Sequence, residues 1–321
     1  MLPRIQFAHL PTPIEALPRL SEALEGPQIF VKRDDQTGLA FGGNKTRKLE
    51  FLLADAKAND SRTLITGGAV QSNHCRQTVA AANRVGFDCM LVLTGEKPAR
   101  PTGNNFLDQF LGAEIIWAGS GDREQYLDAT FKQAEKDGKQ PYLIPYGGSN
   151  EIGAAAFAFA MKEMLNQDPD FDWVIIASSS GGTQAGMAVG QRMFGYQGQV
   201  LGISVDNPAV ELKERVAGLA GVTIRTLGEQ DEFYPDEILV NDEFLGEGYG
   251  IMGAPEVEAL TLFARYEGLL LDPVYTGRAA AGLIELIRSG FFTADQNVLF
   301  WHTGGTTALF ADQYMDALSA Q

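Results

Sequence analysis

Only two cysteines, Cys75 and Cys89, and three histidines, His9, His74 and His302, occur in the 321 residues. Two thiols are too few for a disulfide framework, and no zinc-ligand spacing can be assembled, so a reducing cytoplasm is the expected setting. Basic residues are outnumbered: 25 Lys+Arg face 41 Asp+Glu, a formal net charge of −16. That excess repels phosphate backbones and anionic membrane surfaces and argues against a nucleic-acid partner. No unbroken apolar run approaches the ~18 residues of a membrane span. The most apolar stretch, Ile152 to Met164, is Ala- and Phe-rich and carries Lys162 and Glu163. The opening MLPRIQFAHLPTPIEAL, with Pro3, Pro11 and Pro13, lacks the apolar core and cleavage site of a signal peptide.

What is present is glycine, 36 residues of it, in a chain that is 45% hydrophobic and 21% charged. The length suits about two domains. From Ile29 onward, short apolar runs alternate with segments of helical periodicity, which predicts an α/β fold around parallel strands. Strands are read at Ile29–Lys32, Thr63–Thr66, Met90–Thr94, Glu114–Trp117 and Tyr142–Pro145, then at Trp173–Ala177, Val200–Val205, Ile238–Val240 and Asn297–Trp301. The stretch Gly95 to Asn105 (GEKPARPTGNN) reads as a loop inside the first run of units. The turn Gly147–Gly148–Ser149 divides one set of strands from the next, which puts a seam near Ala155.

Three glycine or serine turns look suited to an anion. In FGGNKTRKLEFLLADAK, a turn at Gly42–Gly43 and an Asn44 N-cap precede an amphipathic helix with Leu49, Leu52 and Leu53 on one face. Lys45, Arg47 and Lys48 stand in its first turns, where each cation is unfavourable by about 0.3–1 kcal/mol unless an anion lies nearby. A solvated basic helix start is the plainer alternative. Gly38 and Gly43 have phosphate-loop spacing, but Asn44 intervenes before Lys45 and Thr46 and no G-x-G-x-x-G occurs, which argues against a phosphate-loop nucleoside triphosphatase.

The second turn, ASSSGGTQAGMAVG at Ala177–Gly190, places Ser178, Ser179, Ser180, Gly181 and Gly182 before a helix starting near Thr183. Exposed N–H groups there form an anion nest, or else a tight turn that binds nothing. In the third, GGAVQSNHCRQTVAAANRVG, Ser72 taken alone reads as an N-cap and His74 as a packing or capping residue. Cys75 fits a small buried hydrophobe better than a reactive thiol.

Taken in order along the chain, GGNKTRKLEF, GGAVQSNHCRQ, SSSGGTQAG, DPVYTGRAAAGL (Asp272–Leu283) and WHTGGTTALF (Trp301–Phe310) form one set. It resembles the pyridoxal-phosphate enzymes of the tryptophan-synthase-β fold group. Within that group it is similar to the branch of D-cysteine desulfhydrase, 1-aminocyclopropane-1-carboxylate deaminase and cysteate sulfo-lyase. The resemblance implies two open α/β lobes, three layers each, with the cofactor in the cleft between them. It revises the seam: residues 1–48 with 156–321 form the large lobe and 49–155 the small one. It also implies a homodimer and an amino-acid substrate.

By the same resemblance, Lys45 forms the imine with the cofactor, and Asn44, Lys48, Ser180, Gly181, Gly182 and Thr183 surround its phosphate and ring. Asn73 contacts the ring hydroxyl, the Ser72–His74 amides hold the substrate carboxylate, and Ser72 lies near Cα as a proton acceptor. Tyr275 and Tyr249 complete the site, Tyr275 lying between a Pro-bearing strand end and a Gly-started helix. After that tyrosine the cyclopropane deaminases carry a glutamate for the pyridine nitrogen, whereas this chain has Thr276. A hydroxyl, from Thr276 or Thr303, gives a weaker electron sink, which favours β-elimination of sulfide from a cysteine-like amino acid over ring opening. L-Cysteate sulfo-lyase and the cyclopropane deaminase are the alternatives. A non-catalytic sensor of the same fold would be expected to lose the lysine or the tyrosine, and both are present.

Overall fold

In the computed structural model, which describes residues 2–167 and 170–319, the chain builds two sheets from ten strands. The strands are β1 (Ile14–Ala16), β2 (Gln28–Arg33), β3 (Thr63–Ala69), β4 (Asp88–Thr94), β5 (Glu114–Gly119), β6 (Pro141–Leu143), β7 (Trp173–Ser178), β8 (Gln199–Ser204), β9 (Leu239–Asn241) and β10 (Asn297–His302). The helices are α1 (Pro18–Leu24), α2 (Asn44–Ala58), α3 (Asn73–Val85), α4 (Gly103–Phe110), α5 (Arg123–Lys136), α6 (Glu151–Gln167), α7 (Gly182–Phe194), α8 (Ala209–Thr226), α9 (Ala254–Glu267), α10 (Thr276–Arg288) and α11 (Asp312–Ser319).

The larger sheet has the order β1-β2-β10-β7-β8-β9 and the smaller the order β5-β4-β3-β6. Every pairing is parallel except β1 against β2. Central strands such as WVIIAS and NVLFWH are buried on both faces because helices cover both sides, so they read as continuous apolar runs. Trp301 at the centre is fully buried, edge-on to Phe157 of α6 with ring centroids 6.1 Å apart. All nine strands read from the sequence form, and β1 is added. At three residues between Pro13 and Pro18 it is too short for any period to register, and it lies at the sheet's edge, where proline is tolerated.

Two local expectations change. Helix α2 is not amphipathic: it packs on both α3 and α6, and Thr46 through Ala54 are all buried. The supposed loop ends early, because Gly103 opens α4 and buries Asn104 and Asn105 completely.

Candidate active site

Parallel strands aim their carboxyl ends at a common crevice, the place where open α/β sheets bind ligands. Here the turns after β2, β10 and β7 of one sheet meet those after β3 and β6 of the other. They form a cleft lined by Asn44, Lys45, Ser72, Asn73, His74, Tyr146, Gly147, Ala177, Ser178, Ser179, Ser180, Gly181, Thr183, Tyr275 and Thr303. No Asp or Glu is in that lining.

Lys45 lies in the first turn of α2, and its Nζ donates to Asn44 Oδ1 at 3.1 Å. Burial lowers its pKa to about 8, against an opposing pull from Asp272. Asn44 is not the N-cap; Gly43 is. The Asn44 amide NH2 instead donates to Thr183 Oγ1 at 3.2 Å and its backbone N–H to the Thr303 carbonyl at 2.9 Å, tying three turns together. Arg47 does not face the cleft. It forms a buried cluster with Asp34 and Glu163, each 2.8 Å from Nη2, and Lys32 joins Glu163 at 2.7 Å.

Among the described residues, two cations of the anomalous first turns therefore have no carboxylate in an ion pair, Lys45 and Lys48. Lys48 is fully buried and donates to the Gly147 carbonyl at 3.1 Å and Ser149 Oγ at 3.2 Å. Burial, reinforced by nearby Lys45, pushes its pKa well down. Ser149 Oγ is in turn 2.8 Å from Ser180 Oγ. Lys48 and Gly182 are themselves outside the lining. At the α7 start, Gly181, Gly182 and Thr183 offer N–H groups with no acceptor among the described residues, and Ser178 Oγ is buried without a partner. A Cβ at Gly182 would lie 2.4 Å from Ser149 Oγ, so glycine is required there.

On the opposite wall, Ser72 caps α3 by accepting from the Cys75 N–H at 3.2 Å. Its own amide is engaged by the Ala69 carbonyl, so of the expected Ser72–His74 amides only those of Asn73 and His74 stay free among the described residues. The Thr66 hydroxyl donates to the Ile144 carbonyl and so must accept from His74 Nε2, at 2.9 Å. That leaves His74 Nδ1 a bare, buried acceptor, and burial with Lys45 and Lys48 nearby keeps the ring neutral. Cys75 is fully buried and its thiol is pushed up by that burial, then by Asp108, so it is a packing residue rather than a reactive thiol.

Tyr275 and Tyr249 place their hydroxyls 2.5 Å apart. Tyr249 opens onto the outer groove rather than the cleft lining. Asp272–Val274 is not a strand end. Asp272 is fully buried and caps α10: its Oδ2 accepts from the amides of Val274 and Tyr275, and its Oδ1 from the Thr276 amide and hydroxyl. The Thr276 hydroxyl also accepts from the Asp272 N–H at 2.7 Å. Thr276, expected at the cofactor, is thus enclosed and absent from the lining, whereas Thr303 is part of it.

Tyr146 and Ser149 were missed by sequence reasoning. Tyr146 follows Pro145 at a strand's carboxyl end and precedes a glycine turn, the same local pattern that pointed to Tyr275. The Arg123 guanidinium stands 4.0 Å over its ring.

The sequence matches the family described as pyridoxal-phosphate dependent enzyme over residues 5–304. The chain belongs to that family. A solved structure described as an ACC deaminase homologue is similar at 34% identity, covering 99% of this chain and 96% of its own, with a TM-score of 0.91. The fold also matches the processed form of threonine deaminase isoform 2 from Solanum lycopersicum, at 15% identity, 96% and 82% coverage and a TM-score of 0.69. Maize serine racemase matches at 18% identity, 96% and 91% coverage and a TM-score of 0.67. The cleft fits pyridoxal phosphate: a helix start with free amides, a buried Lys48 and a half-buried Lys45 with no ion-pair carboxylate among the described residues, and an orphaned serine hydroxyl all favour a phosphate-bearing ligand.

Proposed function

We propose that this pyridoxal-phosphate enzyme is a β-eliminating lyase on a cysteine-like amino acid, with D-cysteine converted to pyruvate, sulfide and ammonia. The observation that carries the reading is the absence of any carboxylate from the cleft lining. With Thr303 the residue that would meet the pyridine nitrogen, the ring would be a weak acceptor, sufficient when thiolate leaves but poorly suited to opening a cyclopropane. When bound, the cofactor supplies the electron sink for the bond broken at Cα.

This chain's residues do the rest. Lys48, Ser180 and the amides of Gly181 to Thr183 hold the phosphate, and Asn44 ties the Lys45 turn to Thr183. Asn73 faces the ring hydroxyl, and the free amides of Asn73 and His74 hold the substrate carboxylate without adding a charge. Lys45 Nζ, neutral above about pH 8, anchors the cofactor and accepts the Cα proton, with Ser72 Oγ beside it. Burial and the neighbouring phenols hold the Tyr275 hydroxyl protonated, ready to donate to sulfur at Cβ, and Tyr249 resupplies the proton.

The same reading takes residues 1–48 with 156–321 as the large lobe, 49–155 as the small lobe, and a homodimer as the assembly. The experiment offers purified enzyme D-cysteine and L-cysteate separately and measures pyruvate, sulfide and sulfite. Sulfide with pyruvate from D-cysteine is expected. Sulfite from L-cysteate alone would keep elimination and change the substrate; no pyruvate from either would sink the proposal.

A further inference from the structure

An asparagine amide has a donor end and an acceptor end, and in the cleft the difference decides what Asn73 can do. Behind Asn73 lies a buried cluster that the reaction above does not use. Arg76 of α3 is fully buried; its Nη1 donates to Asn104 Oδ1 at 3.2 Å and to the Thr307 hydroxyl, and its Nη2 to the Gly42 carbonyl at 2.8 Å. A guanidinium has donors only, so Asn104 must turn its oxygen toward Arg76. On its other side, Asn104 Nδ2 donates to the Gln71 carbonyl at 2.9 Å, and a carbonyl only accepts, which independently requires the same orientation. That NH2 also reaches Asn73 Oδ1 at 2.8 Å. Asn73 must therefore give its oxygen to Asn104. Its Nδ2 is left with no acceptor among the described residues, beside Gly305, where a Cβ would lie only 2.5 Å away.

We infer that Asn104, clamped by Arg76, is a positioning residue that orients the Asn73 amide so that a donor meets the cofactor's ring hydroxyl. The inference rests on the placing of Asn73 in the proposed function. A donor at that oxygen stabilises its deprotonated form, so a residue outside the cleft sets the protonation state of the bound cofactor. The same guanidinium holds the Gly42 carbonyl, so one buried cation also fixes the turn leading to Lys45.

Titrating the visible absorbance of the bound cofactor against pH reads this orientation without turnover. Asn104→Asp keeps the shape but replaces the NH2 with an acceptor, which turns the Asn73 NH2 away from the cofactor. The titration midpoint should rise by about one pH unit. Asn73→Ala should raise it too, and adding Asn104→Asp to Asn73→Ala should move it no further. An unmoved midpoint in Asn104→Asp, or an equal shift in the Asn73→Ala background, overturns the inference alone. An unmoved midpoint in Asn73→Ala overturns the placing of Asn73 as well. Should Asn104→Asp fail to fold, Asn104→Leu enters the same cycle with a shift in the same direction expected and the same outcomes against it.

Discussion

In the proposed reaction Lys45 carries most of the chemistry, and burial makes it usable. A lysine at its ordinary value of 10.5 is almost wholly charged at neutral pH, whereas here the pKa lies at about 8. Capture of pyridoxal phosphate by the cofactor-free protein should therefore accelerate with pH along a curve whose midpoint is near 8. A midpoint near 10, measured by rapid-mixing absorbance, would mean that Lys45 is as solvated as any surface lysine. Tyr275 makes the second residue-scale case. Replacing it with Phe removes the proton donor but keeps the ring, so elimination should slow by roughly 10²-fold with the bound cofactor's absorbance intact. Unchanged turnover would assign the proton to another group, Tyr146 being the nearest phenol on the lining.

At the scale of elements, the cleft residues sit where a strand stops or a helix or turn starts, which is why so much was legible. The glycine turns, the lysine after Gly43 and the serines after β7 are local signals, readable from neighbours in the chain. What was not legible depends on packing between distant segments. Nothing in NKTRK says that Arg47 belongs to Asp34 and Glu163 while Lys48 does not, because Glu163 arrives from α6, more than 100 residues on. The enclosure of Thr276 was unreadable for a similar reason: Asp272 four residues earlier takes its hydroxyl, a capping contact invisible without the backbone path. Asn104 and Asn105 looked like turn residues because asparagine favours turns, and packing of α4 against α3 and against the Thr306–Phe310 turn is what buries them.

The Arg47 cluster yields a stability prediction at this scale. Burial alone would raise the Glu163 carboxyl, but the Arg47 guanidinium and the Lys32 ammonium outweigh it and hold its pKa at about 2, against 4.5 ordinarily. A depressed carboxylate stabilises the fold above its unfolded value and loses that contribution as pH falls from about 4.5 to about 2. Glu163→Gln should cost about 3 kcal/mol at neutral pH, and the gap to wild type should narrow across that acid range in denaturant titrations. A gap that stays constant down to pH 2 would mean that Glu163 is not ionised in this cluster.

For the whole molecule, the division of labour follows from the two sheets. The turns after β2, β7 and β10 bring the lysine, the anion nest and Thr303, while those after β3 and β6 bring Asn73, His74 and Tyr146. The net charge of −16 repels phosphate backbones and anionic membrane surfaces. Local placement of Lys45 and Lys48 beside free amides prevails over that overall repulsion at contact distance, because a net charge spread over the surface is screened within about 10 Å. The proposed function stands on the absence, among the described residues, of a carboxylate from the cleft lining. The most direct measurement compares, with one enzyme preparation, 2-oxobutanoate formed from 1-aminocyclopropane-1-carboxylate against pyruvate and sulfide formed from D-cysteine. Pyruvate and sulfide with little or no 2-oxobutanoate is the predicted result; efficient ring opening by the unmodified enzyme would contradict it.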